Sequence, residues 1–196
     1  MSYVITFILS YLAGSIPVGL IVSKMQNKDI RTLGSGNIGT SNTFRTLGEK
    51  AGIVVFLGDL LKGFLPALLA GLYGGDLYMI IAAGGAVIGH SYSMFIKFKG
   101  GKGIATGVGA VLAMNWIAGI AGILLFVIFV IIVKYPSLSS IIASSTVAVI
   151  SWLSPGDSLT IKIGITLLVL FVLFRHKDNI KRLIAGKENK LFEKNK

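Results

Sequence analysis

Residues 103–133 read GIATGVGAVLAMNWIAGIAGILLFVIFVIIV, and Asn115 is their only strongly polar residue. A helix rises ~1.5 Å per residue, so this stretch would extend ~46 Å as one rod. The hydrocarbon core of a bilayer is only ~30 Å thick. The stretch is therefore either one strongly tilted helix or two shorter ones that break near Asn115-Trp116. Five further apolar stretches flank it, at 3–22, 51–72, 77–96, 137–153 and 159–174. The first has no basic residues before it and no small-residue cleavage site after it, so it reads as a span and not as a signal peptide.

Composition agrees. Of 196 residues, 54% are apolar and 14% charged, with mean hydropathy +0.81. A soluble domain is ~25% charged, which leaves little room for a soluble enzyme and none for disorder. The absence of cysteine excludes a disulfide scaffold and a zinc-thiolate site. Lys and Arg outnumber Asp and Glu by 19 to 8. In a membrane protein such an excess first suggests cytosolic loops facing anionic headgroups.

The basic residues decide the number of spans. Five fall in 24–50, three in 97–102, Lys134 stands alone, and the tail from Arg175 carries eight. The links at 73–76 and 154–158 hold acids and no bases. Positive loops stay inside the cell. Only with the long stretch split in two do all basic loops fall on one side. The expectation is an all-α integral membrane protein, a polytopic bundle of seven transmembrane helices, with the N-terminus outside and the C-terminus cytosolic. The competing arrangement is a six-helix bundle with inverted ends. No loop is long enough for a soluble module, so residues 1–196 read as a single domain.

Three clusters carry the chemistry. The first loop contains Gly34, Ser35, Gly36, Asn37, Gly39, Asn42 and Arg45. Successive free amides with Ser, Thr and Asn side chains form an anion nest, and Arg45 adds a planar charged fork suited to phosphate. Gly34, Gly36 and Gly39 fit G-x-G-x-x-G, but no strand precedes them, so a dinucleotide fingerprint is rejected. The second loop contains Gly100, Gly101, Lys102 and Gly103 ahead of an apolar helix. It is not a Walker loop, because Gly103 stands where Ser or Thr is required, but it places a cation and free amides at a helix start. Lys97 and Lys99 beside it suit an interfacial anchor. The third cluster places His176 and Asn179 three apart on one helical face, with Arg182 one turn on. Ile180, Leu183 and Ile184 would let that helix lie along the interface.

Two weaker features complete the list of candidates. Ser137 reads as a helix cap, and Ser140 could face the site. Asp59 and Lys62 lie inside a span, where a lone charge costs ~2.5–3.5 kcal/mol and a pair offsets part of that; they read as a structural ion pair. There is no carboxylate pair, no metal cluster, no G-x-S-x-G elbow and no need for a cofactor. All three clusters fall on the cytosolic face. That favours an enzyme acting on a phosphorylated molecule with membrane lipid as its other partner. A phosphate transporter or lipid-binding scaffold is the competing class. Split basic clusters without an aromatic-bearing soluble module exclude nucleic acid.

Gly34-Ser35-Gly36-Asn37-Ile38-Gly39 through Asn42 and Arg45, then Phe98-Lys99-Gly100-Gly101-Lys102-Gly103, then Arg175-His176 with Asn179, Arg182, Gly186 and Glu188, resemble the three motifs of the bacterial acyl-phosphate-dependent glycerol-3-phosphate acyltransferases, the PlsY family. The resemblance covers nearly the whole chain. Thr40-Ser41 stands where the family pattern has Ala-Thr.

The resemblance implies transfer of a fatty acyl group from acyl phosphate to the 1-hydroxyl of sn-glycerol 3-phosphate, giving lysophosphatidic acid and phosphate in phospholipid biosynthesis. It implies a multi-pass enzyme of the bacterial cytoplasmic membrane, with its site toward the cytosol and functional as a monomer. Ser35, Arg45, Lys102, His176 and Asn179 would act in catalysis. Gly36, Asn37, Gly39, Asn42, Gly100, Gly101, Gly103, Ser140 and Arg182 would bind substrate, and Glu188 would hold the tail. The H-x-x-x-x-D signature of other glycerolipid acyltransferases is absent: Phe95 and Lys181 stand five places after His90 and His176.

Overall fold

The computed structural model describes residues 2–191. Lys194 and Lys196 of the basic tail lie outside the described residues. Among the described residues ten α-helices follow one another: α1 Tyr3–Ser15, α2 Val18–Met25, α3 Thr40–Leu47, α4 Glu49–Gly74, α5 Asp76–Ser91, α6 Ile104–Met114, α7 Trp116–Val133, α8 Pro136–Leu153, α9 Leu159–Arg175 and α10 Lys177–Ile184. No strand occurs among the described residues.

The long apolar stretch is two helices. Asn115 is extended, with φ −147° and ψ 98°, and its side-chain oxygen accepts from the Ala118 amide at 2.8 Å to cap α7. Its Nδ2 donates to Ser154 Oγ at 3.1 Å and to Asp157 Oδ2 at 2.7 Å, so the break is tied to the α8–α9 link. The first stretch also breaks. Pro17 has no N–H to donate and restricts Ile16 before it, which ends α1.

Length and composition qualify five spans: α1 with α2 over Tyr3–Met25, α4, α5 over Asp76–Ile96, α7 and α8. Helix α9 makes a sixth when joined to α10, from which it is bent by 53°. Helix α6 has 11 residues, ~16 Å, and is too short to cross alone. By length and composition alone, five or six helices thus qualify as full spans.

The bundle is apolar outside and small and polar inside. Leu69, Ile131 and Ile132 are exposed, whereas Thr6, Ser10, Ser15, Thr106, Ser139 and Ser151 are buried. Without a hydrophobic drive between helices in lipid, close approach of small residues supplies the packing. Accordingly Gly85 and Gly89 of α5 lie against the α1 backbone, and Gly63 of α4 lies against Thr106 of α6.

A candidate active site at one end of the bundle

All three sequence clusters meet at one end. The 34–39 loop folds around Asn42, which is buried on the first turn of α3. Asn42 Nδ2 donates to the carbonyls of Leu33 at 2.9 Å and Asn37 at 2.8 Å, and its Oδ1 accepts from the Ser35 amide at 2.9 Å. Gly34 and Gly36 turn the chain at φ 55° and 71°, where a Cβ is strained. The Gly36 amide reaches Leu33 O, and the Gly39 amide reaches Asn37 Oδ1. Three amides of the nest expected here, those of Ser35, Gly36 and Gly39, are thus occupied within the chain. Ser35, Asn37, Gly39 and Arg45 remain facing a cavity. Arg45 Nε donates to the Lys190 carbonyl at 3.0 Å, which joins this loop to the tail.

The 100–103 loop also departs from expectation. The amides of Gly100 and Gly101 donate to Ser91 O and His90 O at 3.1 Å each, so neither is free for an anion. Lys102, half-buried, enters the cavity at the start of α6, whose opening amides have no partner within the helix. Burial, the largest influence, brings the Lys102 ammonium down to about 8, aided by Arg182, Arg175 and Arg45 and opposed by Glu188.

In the third cluster, buried His176 fills the joint between α9 and α10. Its Nδ1 lies 2.8 Å from the Val172 carbonyl. A carbonyl only accepts, so Nδ1 carries the hydrogen, and in the neutral ring Nε2 is left as an acceptor. Glu188 receives three bonds: Asn179 Nδ2 at 2.6 Å, Arg182 Nε at 2.8 Å and Ser137 Oγ at 2.8 Å. The cap at Ser137 is corrected by this geometry. Tyr135 occupies the cap position, Pro136 begins α8, and the Ser137 hydroxyl is spent on Glu188. Sequence reading placed Arg175 in the third motif but gave it no role; its Nη2 donates to Gly101 O at 3.0 Å.

One cavity of about 490 Å³ collects most of these residues. At its polar end stand Ser35, Asn37, Gly39, Asn42, Arg45, Lys102, Gly103, Ser140, His176, Asn179, Arg182 and Glu188. From there it runs along α7, α8 and α9 over Ile123, Phe126, Val130, Ala143, Val147 and Leu168. Asp59 and His90 line it too, whereas Gly36, Gly100, Gly101 and Lys62 do not. Among the described residues no His/Asp/Glu group could hold a metal ion.

Fold and cavity together define a class: a helical membrane protein with one amphipathic cavity, cationic at one end of the bundle and apolar along its length. Residues 4–186 match the family described as glycerol-3-phosphate acyltransferase. The chain is 44% identical over 192 residues to the glycerol-3-phosphate acyltransferase of Bacillus subtilis (strain 168), across 97% of this chain and 98% of that one. It is 41% identical over 218 residues to that of Acholeplasma laidlawii, across 97% and 94%. It also superposes, with TM-score 0.92 and 34% identity, on the glycerol 3-phosphate form of PlsY (YgiH), an integral membrane glycerol 3-phosphate acyltransferase, covering 98% of this chain and 100% of that one. The lysophosphatidic acid form of PlsY gives TM-score 0.91 at 34% identity, covering 99% and 97%. The chain belongs to the glycerol-3-phosphate acyltransferase family and is a multi-pass integral membrane enzyme.

Proposed function

We propose that this acyltransferase takes its acyl group from a long-chain acyl phosphate and gives it to the 1-hydroxyl of sn-glycerol 3-phosphate. The products are lysophosphatidic acid and inorganic phosphate. One observation carries the reading: a single cavity has Arg45, Lys102 and Arg182 at one end and an apolar lane between α7 and α8 beyond them. A phosphate-headed fatty chain has that distribution of charge and surface. Two phosphates bring about four negative charges, and three cations with the opening amides of α6 offset them.

Lys102 and the start of α6 hold the phosphate of glycerol 3-phosphate. Ser35 and Arg45 hold the acyl phosphate and polarise its carbonyl. His176 Nε2 accepts a hydrogen bond from the attacking hydroxyl and orients it. As the new C–O bond forms and the bond to the leaving phosphate breaks, the hydroxyl proton ends on that phosphate. Asn179, Arg182 and Ser137 fix Glu188, which holds the tail against the site.

The orientation follows the charges. The site end carries the basic loops and faces the cytosol, and the N-terminus lies outside. Helix α6 is the seventh membrane segment, entered through the 100–103 loop and ending at the opposite face, where Asn115 bonds the 154–158 link. Single cysteines at Gly75 and Ser158 are expected to label from outside the cell, and one at Lys187 is not.

The function is tested with purified protein by following lysophosphatidic acid and phosphate together, using acyl phosphate or acyl-CoA as donor. Equal amounts of both products, from acyl phosphate alone, are expected. Product from acyl-CoA alone overturns the donor assignment.

A further inference from the structure

The catalytic reading leaves one buried charged cluster unused. Asp59 and Lys62 of α4 pair at 2.8 Å, and His90 of α5 places Nδ1 3.6 Å from Asp59 Oδ1. The three residues are 2%, 8% and 3% exposed. Lys62 also donates to the Ile16 carbonyl at 2.7 Å, which accepts from the Val18 amide at 3.0 Å as well. The cluster therefore locks α4 to the break in the first span and meets the end of α5. His90 Nδ1 has no hydrogen-bond partner there, and the ring is held by packing.

The far side of that ring meets the phosphate loop. A Cβ added at Gly101 would overlap His90 Nε2, and one at Gly100 would overlap the His90 carbonyl. The Gly101 amide bonds His90 O from the same side, and Arg175 fastens the Gly101 carbonyl. Where the imidazole stands thus fixes the Cα of Gly101, and Lys102 is the next residue.

We propose that His90, braced by Asp59 and Lys62, is a positioning residue: it sets where Lys102 presents its ammonium by filling the space that a side chain at Gly101 would take. This rests on the reading above that Lys102 binds glycerol 3-phosphate. It assigns the second loop's glycine to contact with a histidine instead of to the ligand.

The experiment measures glycerol 3-phosphate affinity by calorimetry on the purified full chain, without donor, alongside KM and kcat with acyl phosphate. His90→Ala is expected to weaken glycerol 3-phosphate, in Kd and KM, about tenfold or more while kcat changes far less, since a misplaced binding group costs at least that. Gly101→Ala is expected to cost about a hundredfold. Combining the two substitutions should recover a large part of that loss, because the overlapping ring is gone. Should His90→Ala fail to fold, Gly101→Ala with and without His90→Asn gives the same comparison. His90→Ala binding glycerol 3-phosphate like the wild type overturns the proposal, as does a double variant whose losses simply multiply. Wild-type protein that binds glycerol 3-phosphate but forms no product from acyl phosphate overturns the donor assignment and leaves this proposal standing.

Discussion

In the 34–39 loop the backbone bends around one side chain; in the 100–103 loop the backbone is laid onto another backbone. Both loops are rich in glycine and stand beside a cation, and from sequence both suggest a nest of free amides. The first is organised by Asn42, whose three bonds take up the loop's own polar groups. The second is organised by the end of α5 and by Arg175, with glycines admitting close approach. In both loops glycine amides, those of Gly36, Gly39, Gly100 and Gly101, are spent on the chain itself. Cationic side chains and helix-opening amides are left to meet the phosphates. Glycine enrichment therefore marks where a chain must fold tightly beside a ligand, and does not by itself mark what touches it.

The comparison can be broken most severely at Asn42. Asn42→Ala strips three short bonds, at about 1 kcal/mol each, and a longer one to the Ile30 carbonyl at 3.5 Å. The corresponding loss of about 3 kcal/mol predicts a more than hundredfold fall in kcat/KM. The same change should lower the melting temperature in detergent. Near-normal activity would mean that the loop does not need its centre.

Lys102→Ala should cost about 2 kcal/mol of charge-assisted contact, or roughly thirtyfold in kcat/KM, with glycerol 3-phosphate KM carrying most of it. Arg45→Ala should act instead on acyl phosphate KM. Swapped KM effects would exchange the assignments of the two loops. His176→Gln separates orientation from proton transfer: retained turnover would limit the imidazole to positioning, and a loss matching His176→Ala would make it a base.

Lys102 also gives a pH test. The phosphate site needs the protonated ammonium, and burial has lowered its pKa from 10.5 to about 8. Glycerol 3-phosphate KM should be flat below that point and rise above it, by up to about tenfold per unit for one linked proton. Lys102→Arg, charged throughout, should remove the rise even if it binds less well. The smallest effect is expected at Gly39. Its φ of −82° is open to any residue, and an added Cβ would only touch Asn37 Oδ1 at 3.4 Å. Gly39→Ala should change kcat/KM less than the other variants.

The sequence alone determined that the chain is a helical membrane protein, because apolar runs of bilayer length have no other stable form. It offered a break at Asn115, the one strongly polar residue in a stretch too long for an untilted crossing, and left one tilted helix as the alternative. It also supplied the three clusters in order, the Asp59–Lys62 pair and the shared face of His176, Asn179 and Arg182, because helical spacing is a local rule. It could not say that Ser137 serves Glu188, that Lys62 reaches Ile16, or that His90 rests on Gly101. Those contacts join residues 51, 46 and 11 positions apart. The spacing along the chain carries no record of them. Only the packing of α4, α5, α8 and the tail brought them together, and the same packing left the Gly100 and Gly101 amides occupied and the lysine facing the cavity.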